Sequence, residues 1–176
     1  MTSVRNLGWL ILCFLGVLCV PGMAAESISK APANVQVALV AKLLAYNKTI
    51  SKGGNVIVHV VGDGKIAAAM KPAIGRSVGK SKLSNVVEGP IPADKVPDLG
   101  AIFVGKADQW PAIQAYCCKH KIMSVSGLPE LVGKGVSLIV GASNNKPKVI
   151  LDIAASKQEG INWDPKILKI ATLINK

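Results

Sequence analysis

Between Leu99 and Leu131 the chain runs from an apolar stretch into a polar, proline-bearing step, then through apolar positions at helical spacing to a second apolar stretch. Ala101, Ile102, Phe103 and Val104 are unbroken and closed by Gly105, the pattern of a strand covered on both faces. Asp108 is placed to cap the next helix, Pro111 suits its first turn, and Ile113, Tyr116, Cys117 and His120 recur along one side. Ile122 to Val125 returns as a strand. The pattern predicts a β-α-β unit that organises the chain. The turn Ser126-Gly127-Leu128-Pro129 falls just past the carboxyl end of its second strand, where open α/β sheets place ligand crevices. Ser126 would supply a hydroxyl, Gly127 and Pro129 the turn, and Leu128 an apolar contact for a partner; covering the end of the core is the alternative use of Leu128.

The flanking pattern extends this unit. Val37, Leu39, Val40, Leu43 and Leu44 predict a helix over 34–46, and the Gly53-Gly54 pair leads into a strand over 56–61 that contains His59. Gly62-Asp63-Gly64-Lys65 is expected as a tight strand-to-helix turn. A nucleotide loop would need a longer glycine-spaced run ending in Lys-Ser or Lys-Thr, and Ile66 follows Lys65. A helix over 66–70, a connector at 75–79 and a strand near 82–87 follow. Runs at 136–140 and 148–153 flank turn residues and predict a hairpin. Asp164-Pro165 then predicts a final helix with Ile167, Leu168, Ile170 and Leu173 on its buried side. The expected fold is α/β: a single-domain sandwich with a mixed, mostly parallel sheet of about five to six strands flanked by helices.

The amino terminus changes where this domain works. Arg5 precedes an apolar run from Leu7 to Val20, then Pro21-Gly22 and the small residues Ala24-Ala25, the layout of a secretory signal peptide over residues 1–25. The run is shorter than the ~20 residues a spanning helix needs. Residues 26–176 would then form one domain of about 150 residues, delivered to the periplasm.

The formal net charge is +11, and of the 21 cations only Arg5 and Arg76 are arginine. That balance argues against dedicated bidentate phosphate or carboxylate recognition. Export removes nucleic acid as an ordinary partner, leaving an anionic envelope surface or an acidic protein face. Loss of Cys13 and Cys19 with the signal leaves Cys117-Cys118, with Cα atoms ~3.8 Å apart, closer than a relaxed disulfide spans. As redox candidates they divide: Cys117 lies on the apolar helix side, while Cys118 is rotated away and could link a homodimer. His120 and Met123 could join them as soft metal ligands, but the set straddles a helix end and lacks a second cluster, so no metal site is assigned.

The order of these features resembles the YfiR-like periplasmic proteins: secretory signal, apolar helix ending in Tyr46-Asn47, LGAIFVGK strand, MSVSGLPEL turn, hairpin with Gly135 and Asn145, and a close containing Ile153-Ala154-Ala155, Gly160-Ile161 and Lys166-Ile167-Leu168. The resemblance implies a compact α/β sandwich without catalysis or cofactor. It also implies a partner, the periplasmic domain of an inner-membrane diguanylate cyclase or other signalling protein, which such a protein represses by binding. Lys48-Thr49-Ile50-Ser51 stands where members commonly carry aromatic residues, and only adjacent cysteines replace two separated disulfides. Tyr46 and the turn 126–129 are the expected partner-binding residues.

An enzyme would need a nucleophile with a base, paired carboxylates in a cleft or a metal set, and neither the spacing of the two histidines nor that of the ten acids supplies one. A non-catalytic regulatory or binding protein is the leading expectation. An exported small-ligand or envelope-surface binder of the same fold is the alternative. If the leader is read correctly, amino-terminal sequencing of exported protein should begin near Glu26, and a membrane-fixed chain still starting at Met1 would refute it.

Overall fold

All six residues of the strand Leu99–Val104 are buried, so the sheet around it needs cover on both faces. In the computed structural model, which describes residues 27–176, the elements run α1 (Ala33–Leu44), β1 (Gly54–Val61), α2 (Gly64–Met70), β2 (Ser77–Val78), β3 (Ser81–Glu88), β4 (Leu99–Val104), α3 (Trp110–His120), β5 (Met123–Ser126), β6 (Leu138–Ser143), β7 (Lys146–Asp152), α4 (Ile153–Gln158) and β8 (Thr172–Ile174). The leader expected over residues 1–25 lies outside the described residues. No helix among the described residues is long and apolar enough to cross a membrane.

The strands form one sheet in the order β2-β3-β1-β4-β5-β6-β7-β8. Strands β3, β1, β4, β5 and β6 are parallel, β2 and β7 run antiparallel to β3 and β6, and β8 is parallel to β7. The fold is therefore α/β with a mixed, mostly parallel sheet flanked by helices, built on eight strands instead of the five to six expected. Alternation along the strands makes two cores. Val58, Val60, Ala101, Phe103, Met123 and Val125 meet α1 and α2 on one face. Val61, Ile102 and Val104 meet Trp110, Ile113, Tyr116 and Cys117 of α3 on the other.

Local chemistry explains most boundaries. Gly62-Asp63-Gly64 is the strand-to-helix turn expected, and within it Asp63 Oδ1 accepts from the Ile66 amide at 3.1 Å and caps α2. Asn144 and Asn145 adopt φ of 50° and 59°, which makes the β6–β7 connection a two-residue turn of the mirror-image type that matches strand twist. His59 is buried, and its Nε2 donates to the Pro90 carbonyl at 2.8 Å, the hydrogen-bonded role expected of a strand histidine.

Three expectations are corrected. Asp108 does not cap α3: it sits in a single 3-10 turn, Ala107–Gln109, and Gln109 occupies the cap without a side-chain bond, although Pro111 does lie in the first turn. The strand expected over 148–153 stops at Asp152, whose Oδ1 accepts from the Ala155 amide at 2.9 Å and starts α4. The final helix is only a 3-10 turn, Pro165–Lys169, capped by Asp164 as expected. The open edge of β7 takes up Thr172–Ile174 as β8, and a ladder there replaces further helical bonds. Of the four residues assigned to that helix's buried side, Ile167 is fully buried, while Leu168 and Ile170 are 46% and 49% exposed.

Phe103 is among the largest fully enclosed side chains, at 1% exposure. Phe103→Ala should cost about 3–5 kcal/mol in denaturant titration, and a loss near zero would mean that this strand is not the centre of the core.

Candidate functional site

The carboxyl end of a parallel sheet is the usual ligand mouth, and here the amino-terminal segment closes it. Ser29 forms a short antiparallel bridge with Ala142 at the end of β6, with N–H···O distances of 2.8 and 2.9 Å. Lys30 Nζ lies 3.2 Å from Asp63 Oδ2, beyond the end of β1. Gln36, buried in α1, donates to the Ala31 carbonyl at 2.6 Å and presses against Gly127, where any side chain would collide with its amide. Residues 28–36 thus lie across the ends of β1, β5 and β6.

The turn 126–129 accordingly differs from the exposed turn expected. Ser126, Gly127 and Leu128 are buried, and only Pro129 is half-buried. The Ser126 hydroxyl donates to the Val104 carbonyl at 2.8 Å and accepts from the Leu128 amide at 3.1 Å, tying β5 to β4. Leu128 packs with Trp110 and Ile139 in the second core, the covering role weighed for it above.

Tyr46 lies at the opposite end. Helix α1 leads from Gln36, against Gly127, to the turn that ends at Asn47, whose Nδ2 sits 3.8 Å from Met123 Sδ at the start of β5. Tyr46 is half-buried against the first core, and its carbonyl accepts from the Asp164 amide at 2.7 Å. The expected binding residues therefore do not form one patch: β5 separates Tyr46 from Ser126-Pro129 by its own length, roughly 13 Å.

At this amino end the chain makes its most unusual polar cluster. Glu159 follows α4, is 1% exposed, and accepts from the Ser124 amide at 2.9 Å, from the Ser124 hydroxyl at 2.6 Å and from the Ser137 hydroxyl. Ser124 Oγ in turn accepts from the Ser137 amide at 2.9 Å. One carboxyl thereby joins α4 to the starts of β5 and β6. Burial pushes its pKa up from 4.5 to about 7, hydrogen bonds from the two serines hold it down, and Asp152 adds a smaller upward push. A cleft of about 290 Å³ opens beside it, lined among others by Asn47, Asp98, His120 and Lys121. Both serine hydroxyls are fully buried and spent on Glu159, so the cluster fastens elements together.

Glu159 escaped the sequence reading because Lys157-Gln158-Glu159-Gly160 looks like any solvated helix end. The cysteines, in contrast, divide as the helix geometry indicates. Cys117 is buried, with its thiol pKa raised by burial and then by Glu159 and Cys118, while Cys118 is half-buried beside Gln158 and Lys121. Both are free thiols. Among the described residues β8 is the last strand of the sheet and has no further strand paired to it, and the turn before it exposes Leu168 and Ile170 among Lys166 and Lys169.

Against known families, residues 33–172 match the family model described as YfiR/HmsC-like. A search of the curated proteins found no match.

The Glu159 cluster carries a pH signature. Its folded pKa lies above its ordinary value, so the folded chain holds a proton between pH 4.5 and about 7 that the unfolded chain releases. Its contribution to stability is full below about 4.5 and is lost as pH rises through about 7. Melting of the wild type should therefore show a falling limb over that window, a few kcal/mol at most, that Glu159→Gln flattens. An unchanged limb in the variant would assign the dependence to other groups.

Proposed function

The chain belongs to the YfiR/HmsC-like family, and from that premise we propose that it is a periplasmic regulatory protein that acts by binding, without catalysis, the periplasmic domain of an inner-membrane diguanylate cyclase or sensor. One observation supports a protein partner above all. Leu168 and Ile170, 46% and 49% exposed, lie in the short segment that leads into β8, the last strand in the sheet order, while Ile167 in the same 3-10 turn is fully buried and anchors that segment in the core. An isolated exposed leucine is ordinary, but two large apolar side chains beside unpaired backbone groups make a surface that a partner strand or helix would cover. Lys166 and Lys169 border it, so the complementary face is apolar with an acidic rim.

The carboxyl-end turn offers less, since Ser126, Gly127 and Leu128 are enclosed, whereas Tyr46 and Pro129 keep some surface. The proposal therefore centres on the edge. Leu168→Glu and Ile170→Glu, separately and together, should leave circular dichroism unchanged because neither side chain is buried. They should weaken binding to the periplasmic domain of the partner cyclase or sensor by at least about tenfold. Unchanged affinity in folded variants would remove the edge from the interface, and Tyr46→Ala would then be the variant to measure.

A further inference from the structure

Lys48, Lys52 and Lys80 surround a cleft of about 410 Å³ whose remaining walls are Ser51 and Gly79. The first three of these residues that follow α1 come from one loop and Gly79-Lys80 from the turn between β2 and β3, at the opposite edge of the sheet from β8. All three lysine side chains are exposed, no acidic side chain lines the cleft, and none of the three lysines makes an ion pair among the described residues.

Backbone contacts hold the two loops in register. The Lys80 amide donates to the Ser51 carbonyl at 2.8 Å, Ser81 Oγ donates to the Ile50 carbonyl at 2.5 Å, and the Gly53 amide donates to Ser81 Oγ at 3.0 Å. Gly79 has φ +64°, and a Cβ there would stand 2.7 Å from that of Ser51, so the close approach depends on glycine. The lysine stems are therefore rooted at fixed spacing around one opening. An anion at that opening meets positive charge from all three side chains.

We propose that this cleft docks the protein on the phosphate headgroups of an anionic lipid surface. Lysine presents a compact, hydrated point charge and lacks the planar fork that grips a single phosphate, and no arginine lines the cleft. Such a set gains from a surface that offers several phosphates at once, where each lysine adds its own increment. The chain's formal net charge of +11 supplies the long-range attraction toward that surface. The inference stands independently of the regulatory reading.

Co-sedimentation with vesicles tests it, using phosphatidylcholine alone and phosphatidylcholine mixed with phosphatidylglycerol. The wild-type protein should bind only the mixed vesicles and be released by high salt. Replacing Lys48, Lys52 and Lys80 together by Gln should lower partitioning about a hundredfold, while the same replacement at exposed Lys134, Lys146 and Lys157 should lower it only a few-fold. Equal losses in the two triple variants, or no binding to mixed vesicles, would overturn the proposal. Pyrophosphate added at matched ionic strength separates lipid from soluble phosphate: no displacement beyond the salt effect is expected, and displacement at micromolar concentration would overturn the lipid assignment. Partner titration with the cleft variant is the separate readout, since failure on vesicles with partner affinity intact would count against the cleft alone.

Discussion

Covering both faces of β4 at once is the constraint on which the remaining architecture depends. Its residues alternate between the α1/α2 layer, through Ala101 and Phe103, and the α3 layer, through Leu99, Ile102 and Val104. A strand with no wet face needs parallel neighbours joined by crossovers, because only crossovers bring helices to both sides. Strands β1 and β5 lie on either side of β4, each parallel to it, and α3 forms the crossover to β5. The second constraint follows from the first. Once both faces are filled, what remains for recognition is the perimeter: two ends and two edges.

Each part of that perimeter has been treated differently. The carboxyl end is sealed by residues 28–36, with Gln36 lying against Gly127. The amino end is fastened by Glu159 and keeps a cleft of mixed polar and apolar lining beside the fastening. One edge, near β2, carries the lysine cleft, and the other, β8, carries exposed Leu168 and Ile170. In this arrangement Ser124, Ser137 and Glu159 are enclosed, while the sheet margins keep exposed side chains.

Apolar periodicity made the centre of the fold legible. The β4-α3-β5 unit, the first helix and the hairpin follow from runs whose period is unambiguous, and the opposed faces of Cys117 and Cys118 follow from the 100° step of a helix. The carboxyl-terminal segment was not legible for a physical reason. Ile167, Leu168, Ile170 and Leu173 satisfy a helical period, yet three successive residues also suit a strand, and only the open edge of β7 decides between them. Tertiary pairing outweighed a short local pattern.

The binding residues show a different limit. Position relative to a strand end is readable, but whether another segment covers that end is not, and here Gln36 lies against Gly127 and Ser29 bridges to Ala142. Glu159 gave no signal at all, since a single acid in a polar run has the same sequence signature whether it is solvated or locked between two serines.

The bridge between Ser29 and Ala142 joins positions 113 apart in the chain. In a polypeptide that emerges amino end first, Ser29 has no partner until the β6–β7 hairpin exists, so the strap that closes the carboxyl end is finished late in folding. Until then Gly127, Ser126 and the ends of β1, β5 and β6 stand open. Closure of that end therefore depends on one of the most sequence-distant pairings in the fold, the kind of contact that costs the most loop entropy to form.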